Sequence, residues 1–155
     1  MTPAIAAAKK AKIWFAVHEY EHDPAAESFG KEAAEKLETD PARVFKTLVV
    51  AVSERDLAVM VVPVLHQLDL KLAAKALGVK KAAMADVKQV ERATGYVLGG
   101  VSPLGQKKRL PTVVDASAAE HASVFVSGGR RGLDIELAPS DLCALTGGVF
   151  APVAR

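Results

Sequence analysis

The chain has 155 residues, half of them apolar, enough for a single compact domain over 1–155 with a substantial core. A formal charge of +2 excludes a bulk polycation, so any nucleic-acid contact must come from local clusters of cations. Cys143 is the lone cysteine and rules out an intramolecular disulfide, no signal-peptide pattern opens the chain, and the longest apolar run, Leu57 to Leu65, is far too short to span a bilayer. A cytoplasmic protein without a membrane partner is expected.

Thr2-Pro3 supplies an N-cap and first-turn pair for a helix through about Lys12, and Ile13 to Tyr20 follows as an extended, aromatic and β-branched stretch. A polar loop, Glu21-His22-Asp23-Pro24, leads to a helix over Lys31 to Glu38, and Asp40-Pro41 starts another short turn. Thr47 to Val52 and Leu57 to Leu65 are valine-rich runs around a short polar loop, the pattern of a hairpin. Leu68 to Leu77 reads as an amphipathic helix with Asp69 near its start and Gly78 at its end. A further helix runs from Asp86 to Thr94-Gly95, after which Tyr96-Val97-Leu98 is expected to enter a glycine-rich loop as a strand. Thr112 to Val114, Ser123 to Val126 and Leu133 to Leu137 are extended; Ser117-x-x-Glu120 offers a cap between the first two, and Pro139-Ser140-Asp141 starts a last helix ending at Gly147-Gly148. The expected architecture is α+β, one mixed, strongly twisted and partly barrel-like sheet surrounded by helices.

The segment Gly99 to Pro111 is the most distinctive: glycines that let backbone approach a ligand, Pro103 to stiffen the turn, then Lys107, Lys108 and Arg109. Arg130 and Arg131 follow Ser127-Gly128-Gly129 in the same manner. Common mechanisms drop out one by one. The four histidines at 18, 22, 66 and 121 have no zinc-ligand spacing with a distant single cysteine, Ser102 and Ser127 lack a nucleophile elbow, and neither glycine stretch meets the phosphate-loop or dinucleotide pattern. Cys143 sits in an apolar helical context as a small core residue. Lys46, between Phe45 and Thr47, either snorkels to the surface from a strand end or presents its charge in a cleft whose other wall is the glycine loop.

Several segments together resemble the bacterial YbaK proteins: His18-x-Tyr20-x-His22-Asp23-Pro24, Phe29-Gly30, Val44-Phe45-Lys46-Thr47-Leu48, Gln67-Leu68-Asp69-Leu70-Lys71, Thr94-Gly95-Tyr96, Gly99 to Pro111, and Val126 through Leu137. The resemblance runs from Thr2 onward in the same order, with departures at His66 and over 147–155. YbaK proteins are free-standing relatives of the editing domain inserted in bacterial prolyl-tRNA synthetases. Membership implies the YbaK editing-domain fold and hydrolysis of Cys-tRNA(Pro) without cofactor or metal, in a ternary complex with prolyl-tRNA synthetase.

The resemblance also implies the site. Lys46 matches the family's important lysine, with Gly100, Val101 and Ser102 as the catalytic backbone; Tyr20, Phe29, Thr47, Gly99, Pro103 and Asp134 match residues around the pocket. Asp134 is expected at the α-ammonium of the substrate. Lys107, Lys108, Arg109, Arg130 and Arg131 are expected, from their charge, to face the acceptor stem. The family chemistry accounts for the lack of an enzyme nucleophile, because the cysteinyl thiol attacks its own ester or assists a water. Deacylation of Ala- or Ser-tRNA, and a non-catalytic module that holds an RNA 3′ end, are the alternatives.

Overall fold

The computed structural model describes residues 1–25 and 29–155, with backbone alone at Phe29 and Gly30. Helix ends follow the local signals. The Thr2 side chain caps α1 (Pro3–Ala11) by accepting from the Ile5 amide, and Asp69 caps α3 (Leu70–Leu77) by accepting from the amides of Lys71 and Leu72. Asp86 does the same for α4 (Val87–Thr94), while Gly78, Gly95 and Gly147 take the left-handed conformation after α3, α4 and α5 (Pro139–Thr146). The remaining helix, α2, spans Phe29–Lys36.

Among the described residues the strands form two sheets instead of the one expected, and no closed barrel results. The larger contains β2 (Phe45–Ala51), β3 (Leu57–Pro63), β4 (Ala83–Met84), β5 (Thr112–Asp115) and β8 (Val149–Ala151) in the order β4-β2-β3-β5-β8. It is mixed: β2 and β3 are the antiparallel hairpin, whereas β5 lies parallel to both β3 and β8. Every residue of β3 is buried, with Val59 and Val61 in one apolar cluster and Ala58, Met60 and Val62 in another. Burial on both faces explains why this run is continuously apolar instead of alternating. The smaller sheet is antiparallel, in the order β1-β7-β6, from β1 (Phe15–Glu19), β6 (Val124–Arg130) and β7 (Leu133–Leu137). A parallel bridge between Val44 and Phe125 joins the two sheets at the start of β2.

Three sequence expectations change. Tyr96–Leu98 is not a strand: the Tyr96 hydroxyl donates to the Leu104 carbonyl at 2.6 Å and the Gly100 amide closes a turn onto the Val97 carbonyl at 2.9 Å, so the backbone folds back on itself. The 3₁₀ turn Ala116–Glu120 is capped by Asp115, whose side chain accepts from the Ser117 amide; Ser117 is not the cap. The short strands β4 and β8 come from segments read as loop. The Asp115 carboxylate also accepts from the amides of Val153 and Ala154, which ties down the tail after β8.

The glycine loop is fixed from behind. A side chain at Gly105 would meet the Pro3 carbonyl oxygen at 2.4 Å, and one at Gly100 would meet the Arg130 α-carbon at 2.8 Å. The loop therefore lies directly on the start of α1 and on the β6–β7 turn, which only glycine permits.

Candidate active-site cleft

Where the sheets adjoin, a cleft of about 390 Å³ opens between the start of β2, the β6–β7 pair and the glycine loop. β2 and the residue before it contribute Val44 to Leu48, so Lys46 and Thr47 both border the cleft. Asp134 comes from β7 and Ser127 from β6, where the two are cross-strand partners just before a β-bulge. Arg130 and Arg131 enter from the turn that the bulge creates, Leu98, Gly99 and Val101 from the glycine loop, Tyr20 from the end of β1, and Ala33 from α2.

Of the residues expected at the site, Tyr20, Lys46, Thr47, Gly99, Val101, Asp134, Arg130 and Arg131 are thus brought together. Gly100 lies behind the wall, and its amide is committed to the Val97 carbonyl. Ser102 and Pro103 are buried but do not line the cleft; the Ser102 hydroxyl accepts from the Leu104 amide at 3.2 Å. The Val101 amide has no acceptor among the described residues. The side chain of Phe29 lies outside the described residues. Lys107, Lys108 and Arg109 are elsewhere: the amides of Lys107 and Lys108 donate to the carbonyls of Thr94 and Ala93, and Lys108 and Arg109 line a separate cavity near the end of α3. His66 is exposed, with Nδ1 3.3 Å from the Arg155 carbonyl oxygen, and borders neither cavity.

The electrostatics of the cleft follow from partial burial. The Lys46 ammonium is held below its ordinary pKa, first by burial and second by the nearby charge of Lys31. Asp134 is 6% exposed, and burial pushes its carboxyl up to about 7. The Tyr20 hydroxyl is pushed up to about 12 by burial, then by Asp134 and Glu32, so it stays protonated and serves as a donor. Thr47 Oγ1 is buried and has no hydrogen-bond partner among the described residues. A buried hydroxyl without a partner costs about 1–3 kcal/mol, so its place in a cleft wall suits a ligand that completes the bond.

Glu32, on α2, anchors the segment after Tyr20. Its buried carboxylate meets His22 Nδ1 at 2.6 Å and accepts from the Asp23 amide at 2.7 Å. Burial raises its pKa, but these hydrogen bonds and the charges of His22 and Lys36 outweigh that and hold the carboxyl low. On the far side, Glu136 meets His18, Arg43 and Ser123, a network that packs over Phe125 and serves the small sheet. Among the described residues no histidine or cysteine borders the cleft, and the half-buried Cys143 thiol is pushed up by burial. Among the described residues no group of three His, Cys, Asp or Glu is placed to hold a metal ion.

Sequence reading missed Ser127 and Leu98. The cross-strand register that sets Ser127 beside Asp134 depends on a pairing more than five residues distant, which no local pattern encodes. Leu98 stands out only once Tyr96–Leu98 is seen to be a turn.

A family model described as the aminoacyl-tRNA editing domain matches residues 22–145. An Enterococcus faecalis protein named "Putative Cys-tRNA(Pro)/Cys-tRNA(Cys) deacylase EbsC" is 44% identical over 120 residues, which cover 77% of this chain and 73% of that protein. A solved structure described as "a putative trans-editing enzyme for prolyl tRNA synthetase" superposes with a TM-score of 0.85 at 27% identity, covering 99% of this chain and 95% of that one. The hypothetical protein APE2540 shares the fold, with a TM-score of 0.87 at 24% identity over 99% of this chain and 100% of that one. No helix among the described residues is long and apolar enough to cross a membrane.

Proposed function

Because the chain belongs to the aminoacyl-tRNA editing domain family, we propose that it is a trans-acting deacylase that hydrolyses Cys-tRNA(Pro), using the thiol of the substrate as the nucleophile. One observation carries the reading: among its described residues the cleft combines a cation, a buried carboxyl and a hydroxyl without a hydrogen-bond partner, and none of them is an imidazole or thiol that would activate a protein nucleophile.

The aminoacyl ester enters with its carbonyl toward the glycine loop. The Val101 amide donates to the carbonyl oxygen, where negative charge develops, and Lys46 holds the terminal ribose and adds positive potential to the same transition state. Asp134, once ionised, pairs with the α-ammonium, and that charge returns its carboxyl toward the ordinary range. Thr47 and Tyr20 supply hydrogen bonds that fix the aminoacyl group, so the reactive sulfur is presented to the carbonyl carbon. The sulfur–carbon bond forms, the carbon–oxygen bond to the ribose breaks, and the ribose oxygen takes up the proton lost by the thiol. Water then opens the thiolactone to free cysteine. Alanine has no nucleophile, serine offers a far less acidic one, and proline lacks the thiol, so cysteine is selected by chemistry more than by shape.

Arg130 and Arg131, at the mouth, meet the acceptor end of the tRNA. Lys107–Arg109 lie away from the cleft and act on a more distant part of the tRNA. With a formal charge of only +2 the chain has limited means of holding tRNA, and prolyl-tRNA synthetase is its partner in a ternary complex.

The test is release of amino acid from Cys-, Ala-, Ser- and Pro-tRNA(Pro) by the wild type and by Lys46→Ala, with and without the synthetase. Loss of cysteine alone, removed by the substitution, is the expected result. RNA binding without cleavage of any ester would make the chain a binding module instead, and loss of alanine or serine in preference would reassign its substrate.

A further inference from the structure

Two walls of the cleft rest on the start of α1, a segment that does not itself line the cleft. On the β6–β7 side a bulge interrupts the ladder between Ser127, the cross-strand partner of Asp134, and Arg130. The Gly128 carbonyl lies in that interruption, and the Thr2 hydroxyl donates to it while accepting from the Ile5 amide as the cap of α1. Gly129 has φ +110°, and a Cβ placed there would stand 2.9 Å from Tyr96 Cε1 and 3.0 Å from Thr2 Cβ. The bulge that turns Arg130 and Arg131 into the cleft is thus seated on Thr2 and on the Tyr96 ring.

The same segment holds the glycine loop. The Tyr96 hydroxyl donates to the Leu104 carbonyl at 2.6 Å, which closes the loop around Val101, and the Ala4 amide donates to the same hydroxyl oxygen. Burial pushes that hydroxyl up to about 12, so it keeps the proton that it donates. Gly105 rests on the Pro3 carbonyl. Three consecutive residues, Thr2, Pro3 and Ala4, therefore brace the turn that carries the two arginines and the loop that carries the Val101 amide.

We infer that the start of α1 sets the spacing between the two walls: Thr2 is a positioning residue for the β6–β7 turn through Gly128, and Tyr96 for the glycine loop through Leu104. The inference rests on the deacylase reading above and adds to it two residues that touch no substrate. Arg130, Arg131 and Asp134 hold the substrate in the ground and transition states alike, so a loosened turn is read in KM. The Val101 amide meets charge that develops only in the transition state, so a loosened loop is read in kcat.

The test measures kcat and KM for cysteinyl-tRNA(Pro) under conditions where urea unfolding shows each protein on its folded baseline. Thr2→Gly keeps a competent helix cap but has no hydroxyl for Gly128, whereas Thr2→Ser keeps both. Thr2→Gly is expected to raise KM about fivefold with kcat within about twofold of wild type, and Thr2→Ser to restore the wild-type KM. Tyr96→Phe keeps the ring against Gly129 but loses the bond to Leu104, and is expected to lower kcat about tenfold with KM within about twofold. Lower stability with both constants unchanged would make these contacts merely structural and overturn the inference, as would a KM defect that Thr2→Ser shares with Thr2→Gly; either leaves the deacylase standing. A wild type that cleaves no ester overturns the deacylase reading and the positioning roles with it.

Discussion

Asp134 is the group whose energetics and role oppose each other most clearly. Burial lifts its carboxyl from 3.8 to about 7, so folding takes up a proton wherever the pH lies between those values. The sign follows directly: the folded state binds the proton more tightly, and stability falls as the pH rises from about 4 to about 7. The full displacement of roughly 3 units corresponds to about 4 kcal/mol of penalty for the ionised form, with about 2 to 3 kcal/mol of it appearing between pH 5 and pH 8. Asp134→Asn carries no such charge. Its stability relative to wild type, from urea unfolding, is therefore expected to improve by about 2 to 3 kcal/mol between pH 5 and pH 8, whatever constant offset the buried amide adds. The same variant is expected to raise KM for cysteinyl-tRNA at pH 8, because the partner of the α-ammonium is gone. A difference in stability that does not change with pH would refute the raised pKa of the buried carboxyl; improved stability together with unchanged KM would refute its place at the ammonium.

Two glycines with different surroundings separate strain from contact. Gly78→Ala has open space around it but φ +70°, and is expected to cost about 1 kcal/mol in unfolding free energy without altering hydrolysis. Gly100→Ala drives a Cβ to 2.8 Å from the Arg130 backbone, which cannot turn aside as a side chain could; a loss of more than 2 kcal/mol and a tenfold or greater fall in kcat/KM are expected. Glu32→Ala leaves His22 and the Asp23 amide without their acceptor, and a loss of about 2 to 3 kcal/mol is expected at pH 7 by the same unfolding measurement. Because the folded state holds the Glu32 carboxyl low, that contribution is present above the ordinary glutamate range and shrinks as the pH falls below it, so the gap between wild type and variant narrows in acid.

The elements most legible in the sequence were those with a local chemical stop and start. Asp69 with Gly78 and Asp86 with Gly95 each bound a helix within a residue or two of the expected ends, and Thr2 with Pro3 marks the start of another. The apolar runs of β2 and β3 were equally plain, and in β3 burial on both faces demands an unbroken one. β4 and β8 are two and three residues long and their exposed or half-exposed residues show no alternation, so only pairing with a distant strand defines them. The division into two sheets was hidden for the same reason: it is set by which strands pair across long stretches of chain, β1 with β7 and β3 with β5. At the site, Lys46 and the glycine loop stood out as chemistry in unusual places. The exposed edge of the cleft did not, since Leu98 and Arg131 meet only through the Gly99 turn, and the basic run 107–109 looked like part of the site although the turn after Leu104 carries it away.

The claim that the substrate supplies its own nucleophile is tested most directly by methylating the sulfur. S-methylcysteinyl-tRNA(Pro) nearly keeps the size of the cysteinyl substrate and keeps its ammonium, but its thioether cannot lose a proton and attack. At equal enzyme concentration its ester is expected to persist while the cysteinyl ester is lost, with the methylated RNA acting as a competitive inhibitor. Hydrolysis of both at comparable rates would contradict the account and place the nucleophile on the protein or on a water that the cleft itself activates.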